Sequence, residues 1–467
     1  MVHPHLRQLH TGKQHDVDMT QGNVARHLIS FALPLLAGNI FQQLYNTVDT
    51  WVVGNYVSNE AFSAVGTVGP IINMLIGFFM GLSSGAGVVI SQYYGAKQRD
   101  KVRDAVHTSI VMTLVLGVLL TCFGILIIPS MLRLMKTPDV VFPEARTYLT
   151  IYFGGMLGLV LYNMGSGILR AVGDSKRPFY FLVVCAVLNI VLDLSFVILL
   201  DMGVAGVAYA TILSQGVSAL LVLITMVRSD GWVRLQLGGL RISLPILKKI
   251  IGVGIPAALQ MAVTSFSNVF VQSYINHFGP DCMSGWTAYT KVDQLMVLPM
   301  QSLALAATTF VGQNLGIGQV ERAKKGTRTA CLLSVALTTA LMLLVLLTAP
   351  YLVEFFNDKP SVIEFGTLFL RCLSPFYVLC CVNQVYSASL RGAGNSRVPM
   401  VLMLFSFVLF RQCYLFVMAN YISNTILPIA MGYPAGWLVC SVLTLLYYHH
   451  TDLSRNRLAD APLPAAR

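Results

Sequence analysis

Two ten-residue phrases hold equivalent places in two successive hydrophobic arrays of this chain. The first reads Leu169-Arg170-Ala171-Val172-Gly173-Asp174-Ser175-Lys176-Arg177-Pro178, and the second Leu390-Arg391-Gly392-Ala393-Gly394-Asn395-Ser396-Arg397-Val398-Pro399. The interval from Arg170 to Arg391 equals that from Gln92 to Gln313. Those glutamines head a second matched pair, Gln92-Tyr93-Tyr94-Gly95 and Gln313-Asn314-Leu315-Gly316. Pro34 and Pro256, near the start of each array, keep the interval to within one residue. One unit has been duplicated, so the fold must be built twice. Duplication around a midplane cavity is how many secondary transporters are made.

The unit is a membrane unit. Only 11% of the 467 residues are charged and 55% are hydrophobic, whereas a water-soluble domain carries about 25% charged residues. Apolar stretches of spanning length, about 20 residues, recur along almost the whole chain. Read against turn signals they predict twelve helices, at 28–54, 61–85, 105–128, 147–169, 178–200, 204–227, 246–276, 284–310, 327–350, 365–389, 399–420 and 425–448. The expected organisation is an N-terminal tail (1–27), a first lobe of six spans (28–227), a linker (228–245), a second lobe (246–448) and a C-terminal tail (449–467). The fold class is all-α polytopic membrane protein with two pseudo-symmetric six-helix lobes. No cleavable signal peptide is expected, because residues 1–26 are polar and His-rich and the first apolar stretch is a full span.

Charge gives the orientation. Most of the 31 lysines and arginines fall where odd-numbered spans begin or even-numbered spans end. The opposite side holds Arg133, Lys136, Arg146, Lys359 and Arg371, and only Lys291 and Arg411 lie inside spans. By the positive-inside rule both termini are cytoplasmic. The net charge of +11 thus reports topology, and no nucleic-acid partner is expected. Nine cysteines, an odd number without metal-type spacing, read as small hydrophobes. No histidine falls mid-span, which argues against an intramembrane metalloenzyme, and no cofactor or enzymatic role is expected.

Ionisable groups inside spans are costly and generally face a cavity or a partner. Asp49 on helix 1, Asp193 on helix 5 and Thr211 on helix 6 come to one level of the outer half by helix rise. Asn189 shares the Asp193 face, four residues earlier. A cluster of Asn and Thr alone would read as interhelical glue. Two carboxylates read instead as a proton or cation site, since two buried negative charges repel unless a proton or cation joins them. The second lobe has Lys291 and Asp293 on helix 8, two apart and so on opposite sides, and Arg411 on helix 11. An Asp293–Arg411 salt bridge is expected there, structural or in contact with substrate. Pro34 removes a backbone hydrogen bond within helix 1 and marks a bending point. Gly77, Gly81, Gly85 and Gly87 allow close helix contact along helix 2.

Several of these motifs together resemble the multidrug and toxic compound extrusion (MATE) transporters over nearly the whole chain. They are Pro34 with Gln43-Leu44-Tyr45-Asn46-Thr47-Val48-Asp49, Gln92-Tyr93-Tyr94-Gly95-Ala96, Leu169 to Ser175, Tyr289-Thr290-Lys291-Val292-Asp293-Gln294 and Gly312 to Gly316. The DinF-type or MepA-like bacterial branch is the most similar. The resemblance implies a V-shaped cavity between two lobes and alternating-access antiport, with H⁺ or Na⁺ as coupling ion and drug-like, cationic organic compounds as cargo. A flippase for a lipid-linked precursor or polysaccharide is the alternative in the same superfamily. By the same resemblance the coupling site comprises Asp49, Asn189, Asp193 and Thr211, which would also hold Na⁺, and Asn163 approaches it. Asn163, Lys291, Asp293 and Arg411 remain as substrate or structural polar contacts, and Pro34 as hinge. The acid that the NorM-type branch carries on helix 7 has no counterpart, because residues 255–276 contain no Asp or Glu. The protein is expected to be a monomer.

Overall fold

The computed structural model describes residues 16–135 and 137–459, leaving aside the side chains at positions 59, 62, 67, 70, 263, 265, 266 and 269. Arg7, Lys13, Lys136, residues 1–15 of the expected N-terminal tail and residues 460–467 of the expected C-terminal tail, with Arg467, lie outside the described residues. All regular structure among the described residues is helical. The spans are α1 (Val24–Tyr56), α2 (Asn59–Gly95), α3 (Arg99–Leu134), α4 (Phe142–Gly154 and Met156–Ala171), α5 (Lys176–Leu199) and α6 (Gly203–Val227). After a linker follow α7 (Leu244–Asn276), α8 (Pro280–Gly316), α9 (Val320–Glu354), α10 (Pro360–Gly392), α11 (Arg397–Ile422) and α12 (Ile426–His450). Among the described residues, eleven helices are long and apolar enough to cross a membrane, or twelve if the two halves of α4, bent by 49° at Gly155, form one span. The chain is an all-α, polytopic membrane protein.

Local chemistry sets the helix ends. Asn23 caps α1 by accepting from the Arg26 amide, and Ser58 caps α2 by accepting from Ala61. Prolines open α4, α8 and α10, where a missing N–H has no intrahelical partner to lose. Each lobe buries its own apolar core. One core gathers Val52, Val53, Tyr148, Tyr152 and Val207, and the other Trp286, Tyr289, Phe369, Tyr377 and Trp437. Three helix pairs join the lobes: α2 with α7, α1 with α8 and, at one end, α2 with α8. Between α2 and α7, a Cβ on Gly81 would lie 2.4 Å from the Ala258 backbone, and one on Gly85 2.6 Å from Gly254. Gly77 leaves ordinary contact with Met261, and Gly87 faces Gly167 of α4 instead. Between α1 and α8, Leu28, Phe31 and Leu35 pack on Leu303, Ala307 and Phe310.

The main difference from the sequence reading lies at the ends of α2 and α8 nearest the chain termini, here called the basic end. Gln92–Gly95 and Gln313–Gly316 continue their helices and meet each other. A Cβ on Gly95 would fall 1.9 Å from Gln313 O, and one on Gly316 2.1 Å from Gln92 O. Only glycine permits this crossing. Gln92 Nε2 donates to Gly392 O at 2.8 Å, and Gln313 Nε2 donates to Ala171 O at 3.0 Å. Ala171 and Gly392 occupy the same place in the two repeated phrases, so each glutamine grips the opposite lobe symmetrically.

Two chain segments complete this seal. The Met19 amide donates to Gln313 Oε1 at 2.9 Å, and the Leu458 amide to Gln92 Oε1 at 2.6 Å. Val17 and Asn456 press on Gly173 and Gly394, the glycines of the repeated phrases, which have φ of 89° and 94°. A side chain there would be strained and would meet the Val17 or Asn456 carbonyl. Moving away from this end, α1 and α8 are joined by Asn39 Nδ2 to Ser302 Oγ at 3.4 Å, then by Gln43 Nε2 to Gln294 Oε1 at 3.3 Å. Beyond that level no hydrogen bond links them among the described residues, and Thr47, Thr50 and Thr287 bond only their own helices. The lobes therefore part into a cleft that opens at the far end.

Candidate functional site

Asp49 on α1 and Asp193 on α5 adjoin, their carboxyl groups within side-chain reach of each other. Asn189, one turn before Asp193 on α5, is fully buried, as is Asp193, and Asp49 is 9% exposed. Asp49 Oδ1, both Asp193 carboxyl oxygens and both polar atoms of the Asn189 amide have no hydrogen-bond partner. Such a concentration of unsatisfied buried polar atoms is expensive. Directly after Asp193 the helix widens into a π-helical turn, Ser195–Leu199, a feature often found at functional sites.

Thr211 on α6 is buried and donates to Val207 O at 2.9 Å. Its oxygen is within hydrogen-bond reach of Tyr148, and Gln215, one turn on, is within reach of Tyr152. Tyr148 and Tyr152 stack at 6.2 Å with planes 16° apart. Both feel Asp49 electrostatically, as does the buried Tyr45. These tyrosines and Gln215 were missed in the sequence reading. The available signal was spacing: Tyr148/Tyr152 and Thr211/Gln215 are both one turn apart, so two polar ladders face each other. The whole offers carboxylate, amide and hydroxyl oxygens in a dry pocket. That chemistry suits a proton or a hard monovalent cation, since it requires something positive between two like charges.

Asn163 does not join this cluster through any hydrogen bond. Its Nδ2 donates to Leu159 O at 2.9 Å in its own helix. Pro34 lies inside α1, which runs unbroken from Val24 to Tyr56 in this conformation.

In the second lobe the expected Asp293–Arg411 salt bridge is not formed. Arg411, 1% exposed, turns toward α7. There its Nε and Nη2 donate to Ser267 Oγ, and Nη2 also donates to Asn268 Oδ1 at 3.0 Å. Its guanidinium lies 5.2 Å from the Phe407 ring and 4.8 Å from the Tyr433 ring, a stacking arrangement that favours arginine. Widened π-helical turns, Leu404–Phe410 and Met418–Ile422, flank this part of α11. Asp293 faces α10 and accepts from the Tyr377 hydroxyl at 2.5 Å. The Tyr433 ring, rather than a carboxylate, lies against the Arg411 guanidinium. Lys291 points the other way, exposed and without partner among the described residues.

The MatE family profile matches residues 34–194 and 256–414, one stretch in each array. The chain belongs to the MATE family. Among its relatives, the probable multidrug resistance protein YpnP of Bacillus subtilis is 30% identical over 439 residues, covering 93% of this chain and 96% of its own. The probable multidrug resistance protein NorM of Thermotoga maritima is 27% identical over 429 residues, 91% of this chain and 92% of its own. A solved outward-facing conformation of a multidrug resistance MATE transporter superposes with a TM-score of 0.88 at 26% identity, covering 93% and 97% of the two chains. This MATE chain thus shares fold and family with multidrug efflux transporters, and MATE members are membrane transporters.

Proposed function

We propose that this MATE protein exports organic compounds in exchange for H⁺ or Na⁺ by alternating access, with the ion bound at Asp49 and Asp193. One observation carries the reading: two adjoining buried carboxylates whose neighbourhood holds five unpartnered polar atoms. Asn189 and Thr211 complete the site, and Tyr148 orients Thr211. The basic end is the cytoplasmic side, as the charge pattern implies, and the bacterial relatives support a bacterial inner membrane. The conformation described then opens outward and is sealed inward. An ion entering from outside neutralises the acid pair and lets α1 and α5 close upon it. The cleft then loses affinity for cargo, and by linkage cargo and ion weaken each other's binding. Pro34 gives α1 a place to bend during that change. The exporter acts as a monomer.

The test uses inside-out membrane vesicles with pH and Na⁺ gradients imposed separately. Dye uptake driven by one gradient should fall at least about tenfold in Asp49→Asn and in Asp193→Asn, a loss of roughly 1.4 kcal/mol or more of coupling. Undiminished gradient-driven uptake in either variant refutes the ion role. A lipid-precursor flippase stays as a second reading for one reason, the exposed Lys291.

A further inference from the structure

Six charged residues sit well within the spans: Asp49, Asp193, Lys291, Asp293, Arg371 and Arg411. Asp49 and Asp193 are buried against each other in the first lobe. Asp293 turns into the second lobe and holds the Tyr377 hydroxyl. Arg411 is enclosed by Ser267, Asn268 and two rings. Lys291 and Arg371 are exposed, and Arg371 lies with Pro350, Glu364 and Thr367 where α9 meets α10.

The direction of Lys291 follows from α8. Ser302 and Gln294 both bond to α1 of the opposite lobe. Lys291 is one turn beyond Gln294, and Thr287 one turn further, all four on one stripe of the helix. Lys291 therefore stands on the cleft side, just past the level where α1 and α8 part. The groups facing it from α1, Asn46, Thr47 and Thr50, are exposed and uncharged. It has no ion pair, hydrogen bond or ring contact among the described residues. A lysine held at membrane depth without a partner is costly unless it faces water or a ligand. The field of a single charge is also focused between low-dielectric walls.

Building on the exporter reading above, we propose that Lys291 is the cleft's anion-binding group and that the transported compounds carry a carboxylate or phosphate. Beside Lys291 the cleft offers a cationic cargo no exposed carboxylate, since Asp49 and Asp193 are buried and Asp293 is half-buried and holds the Tyr377 hydroxyl. The same chemistry would recognise either a soluble amphipathic anion or an anionic lipid headgroup; the first is the cargo proposed here.

The experiment compares a rhodamine bearing a free carboxylate with its methyl ester, by fluorescence anisotropy on the purified protein in nanodiscs of neutral lipid. The acid should bind about tenfold tighter than the ester, the scale of one partly desolvated charge pair. That preference should vanish in Lys291→Ala and persist in Lys291→Arg. Equal binding of acid and ester by the wild type, or an undiminished preference in Lys291→Ala, overturns the proposal. A fluorescent phosphatidylglycerol moved across proteoliposomes only when Lys291 is present, without any rhodamine preference, overturns it in favour of a lipid headgroup. Because binding is read without a gradient, failure here leaves the Asp49 transport test standing. Failure of that test in turn leaves the charge preference measurable.

Discussion

Replacing both Gln92 and Gln313 by alanine should unlatch the basic end. Each glutamine is fully buried and makes two hydrogen bonds across the lobe boundary or to a terminal segment: Gly392 O and the Leu458 amide for one, Ala171 O and the Met19 amide for the other. A net contribution of about 1 kcal/mol per bond puts the four together at roughly 4 kcal/mol. In the sealed state truncation leaves the partner groups buried and unpaired. When the lobes part, water satisfies them. The sealed state should thus lose close to the full amount relative to the parted one, about a thousandfold in population. Each single variant should lose about half as much, roughly 2 kcal/mol or about thirtyfold. Spin labels on cysteines placed at the exposed Lys101 and Lys325, with the exposed Cys122 and Cys413 changed to serine, read the separation by pulsed dipolar spectroscopy. The double variant should convert a short-distance population to a long one. An unchanged distance distribution would falsify the latch, and so would a shift seen for one glutamine but absent for its symmetry mate.

The remaining predictions follow from the same geometry. Gly95→Ala or Gly316→Ala places a methyl group about 2 Å from a backbone oxygen of the other lobe, so the protein should fold yet never seal. Transport should fall to background while size-exclusion behaviour stays unchanged, and normal transport would show that the crossing is not needed. Asp18 on the N-terminal segment is raised by burial, but Lys97 at 2.5 Å and the Thr20 hydrogen bonds outweigh this and hold its carboxyl below the usual value. A depressed carboxyl contributes stability above its ordinary value, about 4, and loses it as pH falls through the lower folded value. Amide exchange at Met19 should therefore be flat from neutral pH down to about 5 after correction for intrinsic rates and accelerate below about 4. In Asp18→Asn it should be fast throughout, and acid-insensitive protection in the wild type would sink the assignment.

The frame was legible in the sequence because membrane burial leaves little freedom. A backbone in hydrocarbon must satisfy its own hydrogen bonds, so long apolar runs could only be helices. Asp49 and Asp193 were legible because a carboxylate mid-span stands out against an apolar background. Tyr148, Tyr152 and Gln215 were not, since aromatic and amide residues are common in spans and only packing shows which face each takes. The Asp293–Arg411 pair failed for a related reason. Similar depth on two helices says nothing of rotation about their axes, and Arg411 had hydroxyl, amide and ring partners on α7, α11 and α12 that suited a guanidinium as well.

By itself the sequence determined that the chain is a duplicated bundle of membrane helices with a pair of acids in its first half, because spacing, composition and repetition are one-dimensional properties. Only the tertiary structure decided which residues the repeated phrases touch and which way each charged side chain turns. Both depend on contacts between residues hundreds of positions apart and on the rotation of each helix about its own axis, neither of which a linear pattern records.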